Sequence, residues 1–135
     1  MTIEKSDHNE IPTAERTREL AEFCVKCIED KQGENILMLP LAGRTTVADY
    51  FVIATVNSDP QLQAMVSHIE RQVREKFQLR PLSRPGGGSG GWELIDFSDV
   101  VVHLMTAEVR ERYNLEAIWS DVAAGRRRQN HGENN

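Results

Sequence analysis

The sequence predicts an α/β fold, a mixed β-sheet with helices packed on it, in one domain spanning residues 13–122. Three observations carry that expectation. Runs of helical and strand periodicity follow one another as helix, strand, strand, helix, strand, strand, helix, an order that builds a sheet layered with helices. The links within the strand pairs are of hairpin length. The run 50–56 is mostly apolar without alternation, which marks a strand covered on both faces and therefore central in its sheet.

Residues 1–12 are polar, show no periodicity and read as a loose leader. Pro12-Thr13-Ala14-Glu15 is a helix start, with Thr13 as the cap and Glu15 at the positive end of the helix dipole. Leu20, Phe23, Cys24, Cys27 and Ile28 then recur at the spacing of an amphipathic helix, and Gly33 suits the C′ position that ends it. Residues 36–39 form a short apolar strand whose pairing Pro40 limits. Residues 41–47, with Gly43, connect it to the strand at 50–56. Asn57-Ser58-Asp59-Pro60 opens a second helix, capped by Ser58 or Asp59 with Pro60 at its first position. Leu62, Met65, Val66, Ile69, Val73 and Phe77 give that helix one apolar face, and Arg80-Pro81 ends it. The segment 83–91, SRPGGGSGG, cannot hold regular structure and predicts a mobile loop. Beyond it, Trp92, Leu94 and Asp96 point to one side of a strand, and Glu93, Ile95 and Phe97 to the other. Ser98 and Asp99 turn the chain, and the β-branched run Val100, Val101, Val102 starts a buried strand. Thr106 caps a short helix over 107–113, Asn114 breaks it, and residues 115–119 add one turn. Residues 123–135, including three consecutive arginines, read as a disordered basic tail.

A chain of 135 residues suits one hydrophobic core. No apolar run approaches the length of a membrane span, and the first ten residues lack the apolar stretch of a signal peptide, so the expected compartment is the cytoplasm with no membrane partner. Net charge is −5; without Arg126, Arg127, Arg128 and Glu133 there remain 13 basic and 20 acidic residues. An acidic body binds phosphate backbone poorly, so little direct nucleic-acid binding is expected, and a basic protein is the better-matched partner. The three tail arginines read as a solvated tail that adds weak, salt-sensitive attraction at most.

Several motifs invite chemistry. Cys24 and Cys27 spell C-x-x-C, but they fall mid-helix in register with Leu20 and Ile28, so packing is favoured over redox or zinc. The glycine-rich loop lacks the lysine and following helix of a phosphate-binding loop. Nucleotidyl transfer needs two carboxylates converging on metal ions, whereas Asp96 and Asp99 are three apart across a turn. The expected sites are therefore neither catalytic nor metal-binding, and no cofactor is implied. His103 shares a strand face with Val101 and Met105, with no serine, cysteine or second histidine at motif spacing, and reads as a structural or interface residue. Val100, Val102, Leu104 and Ile118 are expected in the core. Trp92, Tyr113 and Trp119 fit a core or an interface hot spot equally well on residue type alone.

The segment 92–121 is also where a family resemblance stands. Trp92-x-Leu94-x-Asp96, then Asp99-Val100-Val101-Val102-His103, then Arg110-x-x-Tyr113-Asn114-Leu115-Glu116-x-x-Trp119 resembles the ribosomal silencing factor family, also called RsfS or Iojap. The run 48–55, ADYFVIAT, matches the same family, and the resemblance covers roughly residues 13–122. It implies a fold with nucleotidyltransferase-like topology. It also implies a translation repressor that binds the large ribosomal subunit through ribosomal protein fourteen and sterically blocks joining of the small subunit, with a part in large-subunit biogenesis open as well. The resemblance tilts the aromatics toward binding and implies a partner-binding patch of Trp92, Asp96, Asp99, His103 and Tyr113, with Glu116 and Asp49 nearby. A homodimer that hides or shares this patch is compatible with it. The alternative reading is an enzyme that binds or transfers nucleotides on the same fold.

Overall fold

A computed structural model describes residues 13–82 and 89–125. The expected leader (1–12), most of the glycine-rich loop and all but the first residues of the tail lie outside the described residues. The elements run α1 (Thr13–Asp30), β1 (Glu34–Pro40), β2 (Tyr50–Val56), α2 (Asp59–Phe77), a 3₁₀ turn (Ser89–Gly91), β3 (Trp92–Asp96), β4 (Val100–Thr106), α3 (Ala107–Tyr113) and α4 (Leu115–Ala123). This is the mixed α/β architecture that the element order predicted. The four strands lie in the order β1-β2-β4-β3. The β1–β2 and β3–β4 pairs are antiparallel, and β2–β4 is parallel. β2 is central, as its unbroken apolar run required, and Phe51 to Val56 are all buried.

The strand period divides the sheet into two faces. Val52, Ala54, Val56, Ile95, Val100, Val102 and Leu104 turn to the face covered by α1 and α2, where they meet Leu20, Cys24, Ile28, Leu62, Ile69 and Val73. Leu39, Phe51, Ile53, Val101 and Met105 turn to the other face, where Val109 of α3 and the half-buried Leu115, Trp119 and Val122 of α4 pack on them. α4 leans on the β1–β2 side of this second face. The β3 edge is less covered, and Leu94 in the middle of β3 is 40% exposed.

Helix ends follow local chemistry. The Ser58 hydroxyl accepts from Gln61 N–H at 3.1 Å and caps α2. The Gln61 side chain reaches back to Asn57 N–H and donates to the carbonyls of Lys31 and Gln32, tying the start of α2 to the end of α1. Gln78, in the left-handed region at φ 56°, ends α2 just before the expected Arg80-Pro81 stop. At the end of α1 the structure corrects one expectation. Gln32, not Gly33, takes the left-handed C′ conformation (φ 66°). Gln32 N–H donates to Glu29 O and Gly33 N–H to Ile28 O, the paired bonds of a Schellman ending. Gly33 is needed for space instead: a Cβ there would stand 2.3 Å from Ile28 Cγ2.

Two further corrections concern the C-terminal elements. The single turn expected at 115–119 is a helix to Ala123. Ile118, expected in the core, is 43% exposed, because Leu115, Trp119 and Val122 occupy the inward face of α4 and leave Ile118 on the opposite one. Val100, Val102 and Leu104 are fully buried, as expected. Cys24 and Cys27 are buried free thiols. Burial pushes both thiols up, Cys27 to about 11 with Asp30 adding to the shift, so they stay protonated and act as small apolar side chains.

Candidate functional site

The second sheet face, between α4 and the β3 edge, gathers Phe51, Trp92, Tyr113 and Trp119. β3 and β4 pair Trp92 with Met105, Leu94 with His103 and Asp96 with Val101. Trp92, Leu94 and Asp96 therefore form a strip on this face. α3 follows β4 directly: the Thr106 hydroxyl accepts from Val109 N–H and turns the chain into the helix, whose last residue is Tyr113. The Tyr113 ring comes to 5.3 Å from the Trp92 ring, centroid to centroid, and Tyr113 is 54% exposed. Asn114, left-handed at φ 47°, then redirects the chain into α4, so Trp119 folds back to within 4.8 Å of Phe51.

His103 lies beneath this strip, only 4% exposed. The Phe51 ring meets it edge-on at 4.7 Å, and the Trp92 indole N–H donates to His103 Nδ1 at 3.3 Å. An indole N–H can only donate, so Nδ1 must carry a lone pair and the proton of the neutral ring must sit on Nε2. His103 Nε2 is buried without a hydrogen-bond partner. An unmet buried donor costs about 1–3 kcal/mol. Burial pulls the imidazole from its ordinary 6.5 down to about 4, so His103 is neutral at physiological pH.

The structure separates the sequence-predicted site residues into three groups. Trp92 and Tyr113 meet at the surface with their rings tilted at 47°, and Leu94 lies beside Trp92 along the strand. Asp49, Asp96 and Asp99 lie around the far end of β3, about 13 Å from Trp92 for four residues of strand. Asp49 N–H and Tyr50 N–H both donate to Asp99 O, which joins the starts of β2 and β4. Asp96 Oδ1 accepts from Ser98 N–H at 2.7 Å and holds the β3–β4 turn, where Ser98 has φ 77°. His103 lies beneath the surface, and Glu116 is half-buried beside Arg110. Glu116 receives Arg110 Nε on both oxygens, at 3.0 and 3.3 Å.

Arg110 enters the sequence reading only as part of the family pattern, yet among the described residues it joins several elements of the fold. Its Nη1 also donates to Asn35 O at 2.7 Å and to Thr55 Oγ1 at 2.9 Å. Asn35 lies at the irregularity of β1, at φ 50°, so Arg110 satisfies a carbonyl that the ladder leaves open there. Leu94 and Phe51 were not marked as site residues either, although the alternation of β3 already put Leu94 on the Trp92 face. Among the described residues no group of three or more His, Cys, Asp or Glu is placed to hold a metal ion. No described helix is long and apolar enough to cross a membrane. The arrangement is a partly exposed strip of Trp92, Leu94 and Tyr113 with aspartates at its far end.

Comparison with known proteins gives concordant results. Residues 14–135 match the family described as "Ribosomal silencing factor during starvation". The ribosomal silencing factor RsfS of Bacillus subtilis is 37% identical over 106 residues, covering 78% of this chain and 88% of that one. A mouse protein named "Mitochondrial assembly of ribosomal large subunit protein 1" is 29% identical over 101 residues, covering 73% of this chain and 44% of its own length. A crystal structure of a Chromobacterium violaceum protein superposes with TM-score 0.72 at 28% identity, covering 86% of this chain and 92% of that one.

Proposed function

The chain belongs to the ribosomal silencing factor family, and from that premise we propose that it docks on the large ribosomal subunit through ribosomal protein fourteen and keeps the small subunit from joining. The observation that carries this reading is the Trp92–Leu94–Tyr113 strip, left open on a face that is otherwise closed by α4. Aromatic residues seated in a partner's pocket supply most of the binding energy at protein contacts. Asp49, Asp96 and Asp99 at the end of the strip give the sign that a basic ribosomal surface requires, and they steer association. Repression is steric. A folded domain on a surface that two subunits must share excludes one of them, and needs no chemistry.

Sucrose-gradient sedimentation of a lysate at low salt tests the docking. The protein is expected to travel with free large subunits. Trp92→Ala should weaken that association about thirtyfold, the loss of a central aromatic anchor. Asp99→Arg should weaken it further as salt falls, since like charges then face each other across the contact. Asp99 is the cleaner charge reversal, because Asp96 also caps Ser98 N–H. Unmutated protein that stays at the top of the gradient at low salt, or variants that travel with large subunits as well as it does, would defeat the reading.

A further inference from the structure

We infer that His103 is the positioning residue of this docking face: its Nδ1 fixes the Trp92 indole, and through it the Tyr113 ring, in the orientation that the partner meets. The inference rests on the docking reading above and deepens it.

The case begins with what His103 costs. Its neighbours on the same face of the sheet are apolar: Phe51, Ile53, Val101 and Met105, all buried, and its β3 partner Leu94, which is 40% exposed. A leucine would fill such a site without a polar penalty. The imidazole instead leaves Nε2–H buried without a partner. What a leucine cannot do is accept a hydrogen bond, and His103 accepts one, from Trp92. Trp92 is the half-buried first residue of an edge strand; Gly91 before it is buried against Thr106 and Val109, which places the backbone and leaves the orientation of the ring to side-chain contacts. Besides its packing on the apolar cluster of this face, the ring is oriented by the 3.3 Å bond to Nδ1 from below and by the Tyr113 ring at 5.3 Å from the side. Phe51 edge-on at 4.7 Å keeps the imidazole itself from turning. Phe51, His103, Trp92 and Tyr113 thus form one chain of ring contacts from the core to the solvent. An indole held before contact loses less freedom on binding than one that must be ordered by the partner.

The test combines nuclear magnetic resonance of the full-length protein with titration against purified large ribosomal subunits. In the unmutated protein, imidazole ¹⁵N shifts should place the His103 proton on Nε2, and the Trp92 indole N–H should exchange slowly; Trp119→Phe assigns the two indole signals. A proton on Nδ1 would overturn the inference without any change to His103. His103→Leu should move the Trp92 indole signal toward that of a free indole and weaken subunit binding about tenfold, the loss of one hydrogen bond's orienting effect. His103→Asn, whose Oδ1 falls near the Nδ1 position, should restore most of both. A merely structural histidine would show no such rescue by an acceptor. Wild-type binding that is strong, lost in Trp92→Ala and unchanged in His103→Leu would sink the positioning role alone. Equal binding by wild type and Trp92→Ala would instead remove the docking reading, and the positioning role with it.

Discussion

Arg110→Ala is expected to destabilise the protein by about 3 kcal/mol, from the loss of a part-buried ion pair together with two further hydrogen bonds. Arg110 joins four elements through one guanidinium: Glu116 at the start of α4, Asn35 O in β1, Thr55 in β2 and its own helix α3. Its side chain is 11% exposed against 30% for Glu116, so solvent screens the pair only partly. Removal leaves Glu116 without its counter-charge and Asn35 O without its donor. The melting temperature should fall by an amount on the order of 10 °C. Arg110→Lys should recover less than half of this, since one ammonium cannot fork to Glu116 while reaching two further acceptors. Thermal unfolding followed by circular dichroism measures both. A loss below about 1 kcal/mol would show that α4 is held by Trp119 and Leu115 packing rather than by this node.

The second large effect is a dependence on pH centred on His103. The imidazole of the unfolded chain takes up a proton near its ordinary value of 6.5, while the native one does not until about pH 4. Between those values the unfolded state binds more protons, so stability falls as the pH drops. The penalty is absent above 6.5 and grows through the window. It tends to about 3.5 kcal/mol below the window, two and a half units at about 1.4 kcal/mol each. Carboxylates also titrate in part of this range, so the comparison that isolates the histidine is with His103→Asn. Urea unfolding at pH 7 and pH 4.5 should show the wild type losing about 2–3 kcal/mol more than the variant. Equal losses would mean that His103 is hydrated and titrates normally.

Much of this fold was legible because its signals are periodic. The unbroken apolar run at 50–56 could only be a central strand, and the spacing of Leu62, Met65, Val66, Ile69 and Val73 could only be one helix face. The alternation of Trp92, Leu94 and Asp96 placed them on one face before any coordinate did. What could not be read depends on tertiary neighbours. Ile118 is apolar and helical, but the direction in which Asn114 aims α4 decides which face of that helix is buried. His103 and Glu116 have residue types that suit a surface. Their burial and pairing depend on Phe51, Trp92 and Arg110, which lie from 6 to 52 positions away in the chain. The left-handed turn at Gln32 beside a glycine shows the same limit, because Gly33 is held by the Ile28 side chain rather than by its own φ.

The site thus has a layered construction. Arg110 fixes where α3 and α4 lie, His103 lies under Trp92, and Trp92 with Tyr113 and the terminal aspartates forms the outer surface. Each layer fails in a different measurement: the first in unfolding, the second in the indole signal, the third in binding.

The central claim is that this outer surface obstructs subunit joining, and light scattering of purified small and large ribosomal subunits mixed in magnesium tests it most directly. Preincubation of large subunits with the wild-type protein should suppress the rise in scattering in proportion to occupancy, while Trp92→Ala and Asp99→Arg at the same concentration should leave the rise nearly intact. Large subunits saturated with wild-type protein that still join small subunits at the normal rate and extent would contradict the account.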